Sequence, residues 1–171
     1  MTKRIVIALA LVVGTTGAAS AQTVTARASV PTIAQATGTP RDLIFPAGAP
    51  GSTGGAAVDG TTTATGATQL GYQDYRLNYS GPTVAVPVAL TLSSTATPAN
   101  QIDATISCAQ AATTAASVTL GDCSGGVALT HTGPGVELRR LFVGGTISQA
   151  EIDAAVPAND YTGTITITLT P

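Results

Sequence analysis

The chain has 171 residues, the size of one ordinary domain with room for a core. Only 9% of it is charged, seven basic residues against nine acidic ones, where soluble domains carry about 25%. So few cations argue against nucleic acid or anionic lipid as partners, both of which need clustered Lys and Arg. The 44% hydrophobic content argues against a disordered chain.

At the N-terminus, Lys3 and Arg4 precede an apolar run over residues 5–13, and Ala19-Ser20-Ala21 follows as a small-x-small cleavage site. This order predicts a secretory signal peptide over residues 1–21, removed before Gln22, whose apolar run is too short to span a bilayer. Residues 22–171 are then expected to be an exported single domain. Its basic residues are Arg27, Arg41, Arg76, Arg139 and Arg140, and it contains no lysine.

The dominant pattern thereafter has a period of two, the strand signature. Val24, Ala26, Ala28 and Val30 face one way along residues 23–30, and residues 41–45 read as a short strand. Residues 46–69 are Gly, Ala, Thr, Ser and Pro with almost no large apolar group. They predict a long mobile loop with a short strand around 58–63, a length uncommon in compact domains. Tyr75, Leu77 and Tyr79 share a face, as do Val84, Val86, Val88, Leu90 and Leu92 along residues 83–92. Pro87 falls on the opposite face of that second run and implies an edge position or a bulge. Ile102, Ala104, Ile106 and Cys108 form the next apolar face, with shorter strands expected at 116–120, 126–130 and 136–143. Ser148-Gln149-Ala150-Glu151 is a capping-box pattern, which opens one helical turn that Pro157 stops. Finally Tyr161, Gly163, Ile165, Ile167 and Leu169 alternate with five threonines. Short strands separated by Gly- and Pro-rich turns make this an all-β chain, a sandwich or barrel. An outer-membrane barrel is rejected, because it needs about 8 or more strands of roughly ten residues and aromatic girdles. The chain offers four Tyr, two Phe and no Trp.

Cys108 and Cys123, an even pair in an exported chain, predict a structural disulfide. A redox pair lacks CxxC spacing, and a zinc site lacks ligands beyond the lone His131. No catalytic residue, metal site or cofactor is predicted. His131 sits between threonines next to a turn, Asp74 and Asp103 fall on polar strand faces, and Glu151 with Asp153 makes no paired site. Arg139 and Arg140 are adjacent on a strand and so face opposite sides, one of them a candidate interface contact. Asn78-Tyr79-Ser80 matches a glycosylation acceptor pattern.

Residues 141–147, Leu-Phe-Val-Gly-Gly-Thr-Ile, followed by residues 161–167, Tyr-Thr-Gly-Thr-Ile-Thr-Ile, resemble the ending of a group of secreted bacterial β-sandwiches. That group is a domain family of unknown function similar to spore coat protein U and the archaic chaperone–usher pilins. Residues 41–45 resemble its early "LxFG" strand, with Pro46 where glycine is usual, and the cysteines also depart from the pattern. The resemblance covers about a third of the exported chain. It implies an immunoglobulin-like sandwich short of one strand, completed by a periplasmic chaperone in transit and then by another subunit's N-terminal strand. The candidate donor strand is Val24, Ala26, Ala28 and Val30, and the candidate acceptor or core strand is Tyr161, Ile165, Ile167 and Leu169. Residues 23–30 equally read as the first strand of their own domain. An uncharged final strand has no device against edge pairing, so its edges should be occupied by its own sheet or by a neighbour. Two functions follow as expectations. The first is a non-enzymatic surface pilus or coat subunit, assembling with copies of itself or related subunits with the help of a chaperone and usher. The second is a self-complete monomeric secreted module that binds carbohydrate or protein.

Overall fold

Alternating side chains become two packed sheets because each strand has one apolar face to hide. The computed structural model describes residues 29–48, 50–51, 55–58, 70–115, 117–157 and 160–171. The predicted signal peptide and the donor positions Val24, Ala26 and Ala28 lie outside them, as does most of the predicted loop. The strands are β1 (Ala34–Arg41), β2 (Ala56–Val58), β3 (Gly71–Leu77), β4 (Thr83–Ala85), β5 (Ala89–Ser94) and β6 (Gln101–Ala112). They continue as β7 (Gly121–Asp122), β8 (Val127–Ala128), β9 (Glu137–Ile147), β10 (Tyr161–Thr162) and β11 (Thr168–Thr170), with helix α1 (Gln149–Ala154) before β10. The larger sheet runs β1-β3-β9-β6-β5-β10, with β2 added to β9 and β7 to β6; the smaller runs β11-β4-β8. All the pairings are antiparallel. The chain is therefore all-β and sandwich-like, and Pro31–Pro171 makes one unit. Among the described residues no helix is long and apolar enough to cross a membrane.

The core lies between the sheets. Tyr75 and Leu77 of β3, Leu141 and Val143 of β9, and Ile106 and Cys108 of β6 meet Val84 of β4 and Leu129 beyond β8. The other face of β9 is also covered. Phe142, which alternates with Leu141 and Val143, packs with Val58, Leu70 and Val118 in a second cluster. The two glycines of β9 let neighbouring backbones close in. A Cβ on Gly144 would strike the Val58 carbonyl and Leu120, and one on Gly145 would strike the Thr105 carbonyl.

Cys108 of β6 and Cys123 just after β7 form the predicted disulfide, both nearly fully buried, where β7 pairs back onto β6. A disulfide fits an oxidising compartment. Helix α1 forms where the capping box predicts it: the Glu151 N–H donates to Ser148 Oγ at 3.2 Å, and the helix buries Ile152.

Several strand boundaries differ from the sequence expectation. The run 83–92 is two strands in different sheets, β4 in the small one and β5 in the large one. Pro87, which has no N–H to give a ladder, sits at the switch, and Val88 beside it is 43% exposed rather than on the apolar face. No strand forms over 42–45 as expected: β1 ends at Arg41 and the chain then leaves the sheet. Of the strand expected near 58–63 only Val58 is described, as the last residue of β2, and 59–63 lie outside the described residues. The described residues of 116–120 form no strand.

Replacing both cysteines by alanine is expected to cost about 3 kcal/mol, the chain-entropy value for a loop of this length, read from urea denaturation. Gly145→Ala is expected to cost about 1–3 kcal/mol through overpacking against backbone that cannot move aside.

Candidate functional site

The smaller sheet covers only part of the larger one, and a groove of about 940 Å³ opens where it stops. One wall is the chain just past β1. A bulge interrupts β1 between Thr37 and Arg41, at Gly38 with φ of +73°, a conformation that suits glycine. Beyond it residues 42–46 leave the sheet with Leu43 and Phe45 half-buried and Asp42 and Ile44 exposed. Gly71 permits this path, since a Cβ there would meet the Leu43 N and Cβ at 3.1 Å.

The opposite wall is the C-terminal run. It starts on the larger sheet, where Tyr161 pairs with Ser94 and Thr162 with Ser93. It ends on the smaller sheet, where Leu169 pairs with Val84. Residues 163–167 between these points belong to no ladder. The single strand expected from alternation is thus two short edge pairings joined by an unpaired crossing. Gly163 lets the crossing lie close on β5, because a Cβ there would stand 3.1 Å from both Leu90 Cδ1 and Leu92 Cδ2. Asp160 fixes its start: its Oδ2 accepts from Ser94 Oγ at 3.0 Å, Thr95 Oγ1 at 2.8 Å and the Ala96 N–H at 2.7 Å. Those donors hold the carboxyl below its ordinary pKa, the Ala96 N–H most strongly. The Tyr161 hydroxyl donates to the Val156 carbonyl at 2.8 Å and ties the wall to the segment after α1.

Between the walls the floor is apolar: Leu90, Leu92, Ile102, Val143 and Ile147, closed at one side by Ile152. Neither 42–46 nor 163–167 makes a backbone hydrogen bond outside the ladders among the described residues. Free backbone N–H and C=O groups beside an apolar floor are what an added strand uses.

Among the described residues the groove's charged lining residues are Arg41 and Asp42, near Tyr72. The Tyr72 ring has the Arg140 guanidinium over its face, 3.7 Å from its centroid, and that of Arg41 at 5.7 Å. Arg140 also grips Asp74 with Nε to Oδ1 at 2.6 Å and Nη2 to Oδ2 at 2.8 Å, a bidentate bond that raises the guanidinium's pKa. Arg139 instead bonds Glu137 and Thr132, so the adjacent arginines have separate partners.

Of the residues singled out from sequence, Tyr161, Ile165 and Ile167 line the groove, and Leu169 packs against the core from β11. Val30 is 83% exposed. Asp74 is held by Arg140 rather than left to solvent, and His131 Nε2 lies 2.8 Å from the Gly135 carbonyl. Asp103 and Glu151 meet at a smaller hollow, where Glu151 Oε2 accepts from the Asp103 N–H at 3.1 Å and ties α1 to β6. Sequence reasoning missed the 42–46 segment as a wall. Its alternation of Leu43 and Phe45 was the available signal. Comparison with protein-family models, with curated proteins and with solved structures returned no match.

Asp160→Asn tests the anchor of the C-terminal wall. Because the folded pKa is lowered, the stability Asp160 contributes is complete above the ordinary value of 3.8 and is lost as pH falls through the folded value. The variant is expected to be less stable at pH 7 and to lose less on acidification, read from thermal unfolding between pH 7 and pH 2.

Proposed function

We propose that this chain is an exported structural subunit that assembles at the cell surface by β-strand exchange. On this reading its sandwich is immunoglobulin-like and short of one strand, and the groove is where that strand goes. The observation that carries the reading is the pair of unpaired segments, 42–46 and 163–167, on either side of an apolar floor. The resemblance of residues 141–147 and 161–167 to coat and pilin-like sandwiches supports it. The predicted export signal and the disulfide support the compartment.

The inserted strand is an N-terminal segment, residues 23–30, of another subunit. Its Val24, Ala26, Ala28 and Val30 turn toward Leu90, Leu92 and Ile147, while its backbone bonds both walls. Each valine contributes about 1.5 kcal/mol or more on full burial, and each new backbone bond about 1 kcal/mol. The alanines add little, so the backbone ladder carries much of the affinity and the alternation sets register. The work is non-covalent and involves no catalytic step. In transit the same groove is covered by a periplasmic chaperone, which an usher exchanges for the next subunit.

The test is the size of native material on gels in detergent without heating. The full chain is expected to give a ladder of multimers that collapses to monomer on boiling. Deleting residues 22–30 is expected to leave a folded subunit that does not polymerise, and Ile167→Asp, a charge in the acceptor wall, should also abolish the ladder. A lone monomer band from the unaltered chain overturns the reading in favour of a self-complete binding module.

A further inference from the structure

Two complementary polar atoms are buried together on the inner face of the larger sheet. Among the described residues the acceptor Gln110 Oε1 and the donor Arg139 Nε are shut off from solvent and make no hydrogen bond. Arg139 lies on the face of β9 that carries Leu141 and Val143 into the core, and its side chain is only 11% exposed. Gln110 lies on the face of β6 that carries Ile106 and Cys108 inward. In the β6–β9 ladder Gln110 stands opposite Leu141, and Ala112 opposite Arg139. The two long side chains are therefore diagonal neighbours on one face, a separation they can bridge. Their remaining polar atoms are already held by one short segment after β8. Gln110 Nε2 donates to Thr130 Oγ1 at 2.8 Å, and Arg139 Nη2 donates to Thr132 Oγ1 at 2.8 Å. Arg139 also pairs with Glu137 Oε1 at 2.8 Å.

The surroundings are poor in water. Tyr75, opposite Arg139 on β3, is 2% exposed, and burial pushes its hydroxyl pKa up. Here an unpaired donor or acceptor bears the full cost of leaving solvent. We propose that a single internal water binds between β6, β9 and residues 130–132 and joins Arg139 Nε to Gln110 Oε1. It accepts from Nε and donates to Oε1, so one molecule that both gives and takes a proton serves both atoms. The Thr130 hydroxyl accepts from Gln110 and keeps its own proton to donate, which makes it the third partner. Three hydrogen bonds are usual for a buried water, and such a bridge is nearly as good enthalpically as a direct bond. The site ties the larger sheet to the segment that follows β8 in the smaller one. It gives Arg139 an interior role, and it holds whatever fills the groove.

Two measurements test the site, both on the full chain. A crystal structure that resolves ordered solvent is expected to show one water within about 2.7–3.2 Å of both Arg139 Nε and Gln110 Oε1. A double-mutant cycle read from urea denaturation checks the same link energetically. Arg139→Lys keeps the cation for Glu137 and Thr132 but removes Nε, and Gln110→Met keeps the volume but removes the acceptor. The two changes are expected to couple by about 3- to 10-fold in the folding equilibrium, the worth of roughly one hydrogen bond. A crystal structure in which the two atoms bond each other directly, or share no water, overturns the proposal even if a variant fails to fold. A cycle whose two effects simply add overturns it as well.

Discussion

A backbone N–H or C=O removed from water needs a partner, and among the described residues the antiparallel ladders centred on β9 supply most of them. β9 pairs β3 and β6 through nearly its whole length, with β2 added at one end. The smaller sheet has only three strands, two of them two or three residues long beside β4. The segments past β1 and before β11 are left without ladders, one on each side of the apolar floor. The groove is the visible result of this shortage. What makes it a candidate site is that unpaired segments adjoin an apolar lining of half-buried Leu90 and buried Leu92, Ile102 and Ile147.

Local devices keep the two walls apart and the groove open. The bulge at Gly38 turns the chain out of the larger sheet, and Gly71 lets Leu43 pass close by. Opposite, Asp160 gathers three donors from residues 94–96 and starts the C-terminal run at a fixed point. Gly163 then lets that run cross β5 closely before it joins β4. The outer cluster around Phe142 stiffens the floor from behind, so β9 is packed on both faces.

Much of this architecture was legible in residue order, for reasons that differ by element. β6 and β9 were readable because Ile102, Ala104, Ile106 and Leu141, Val143 alternate cleanly with their neighbours. The helix was readable because Ser148 and Glu151 stand three apart, and the disulfide because two cysteines stood in a chain expected to be exported. The C-terminal run misled, since five apolar residues in perfect alternation look like a continuous paired strand. Alternation reports which way side chains point and is silent on whether the backbone has a neighbour. Pro87 was noticed as a break in pairing, but a bulge and a change of sheet look the same from one proline.

Residue order alone therefore determined the local conformations and the inward-facing positions, because backbone geometry links an alternating pattern to a strand and its two faces. It also determined the cross-link, the helix cap and the uncharged character of the last strand. Tertiary structure decided which strands became neighbours, that residues 83–92 were shared between two sheets, and that 42–46 and 163–167 both ended beside one apolar floor. These outcomes depend on pairings between strands far apart in sequence, such as Thr83 with Thr170 and Ala56 with Ile147. Such pairings are chosen by the packing of the whole core, and no short window of sequence contains them.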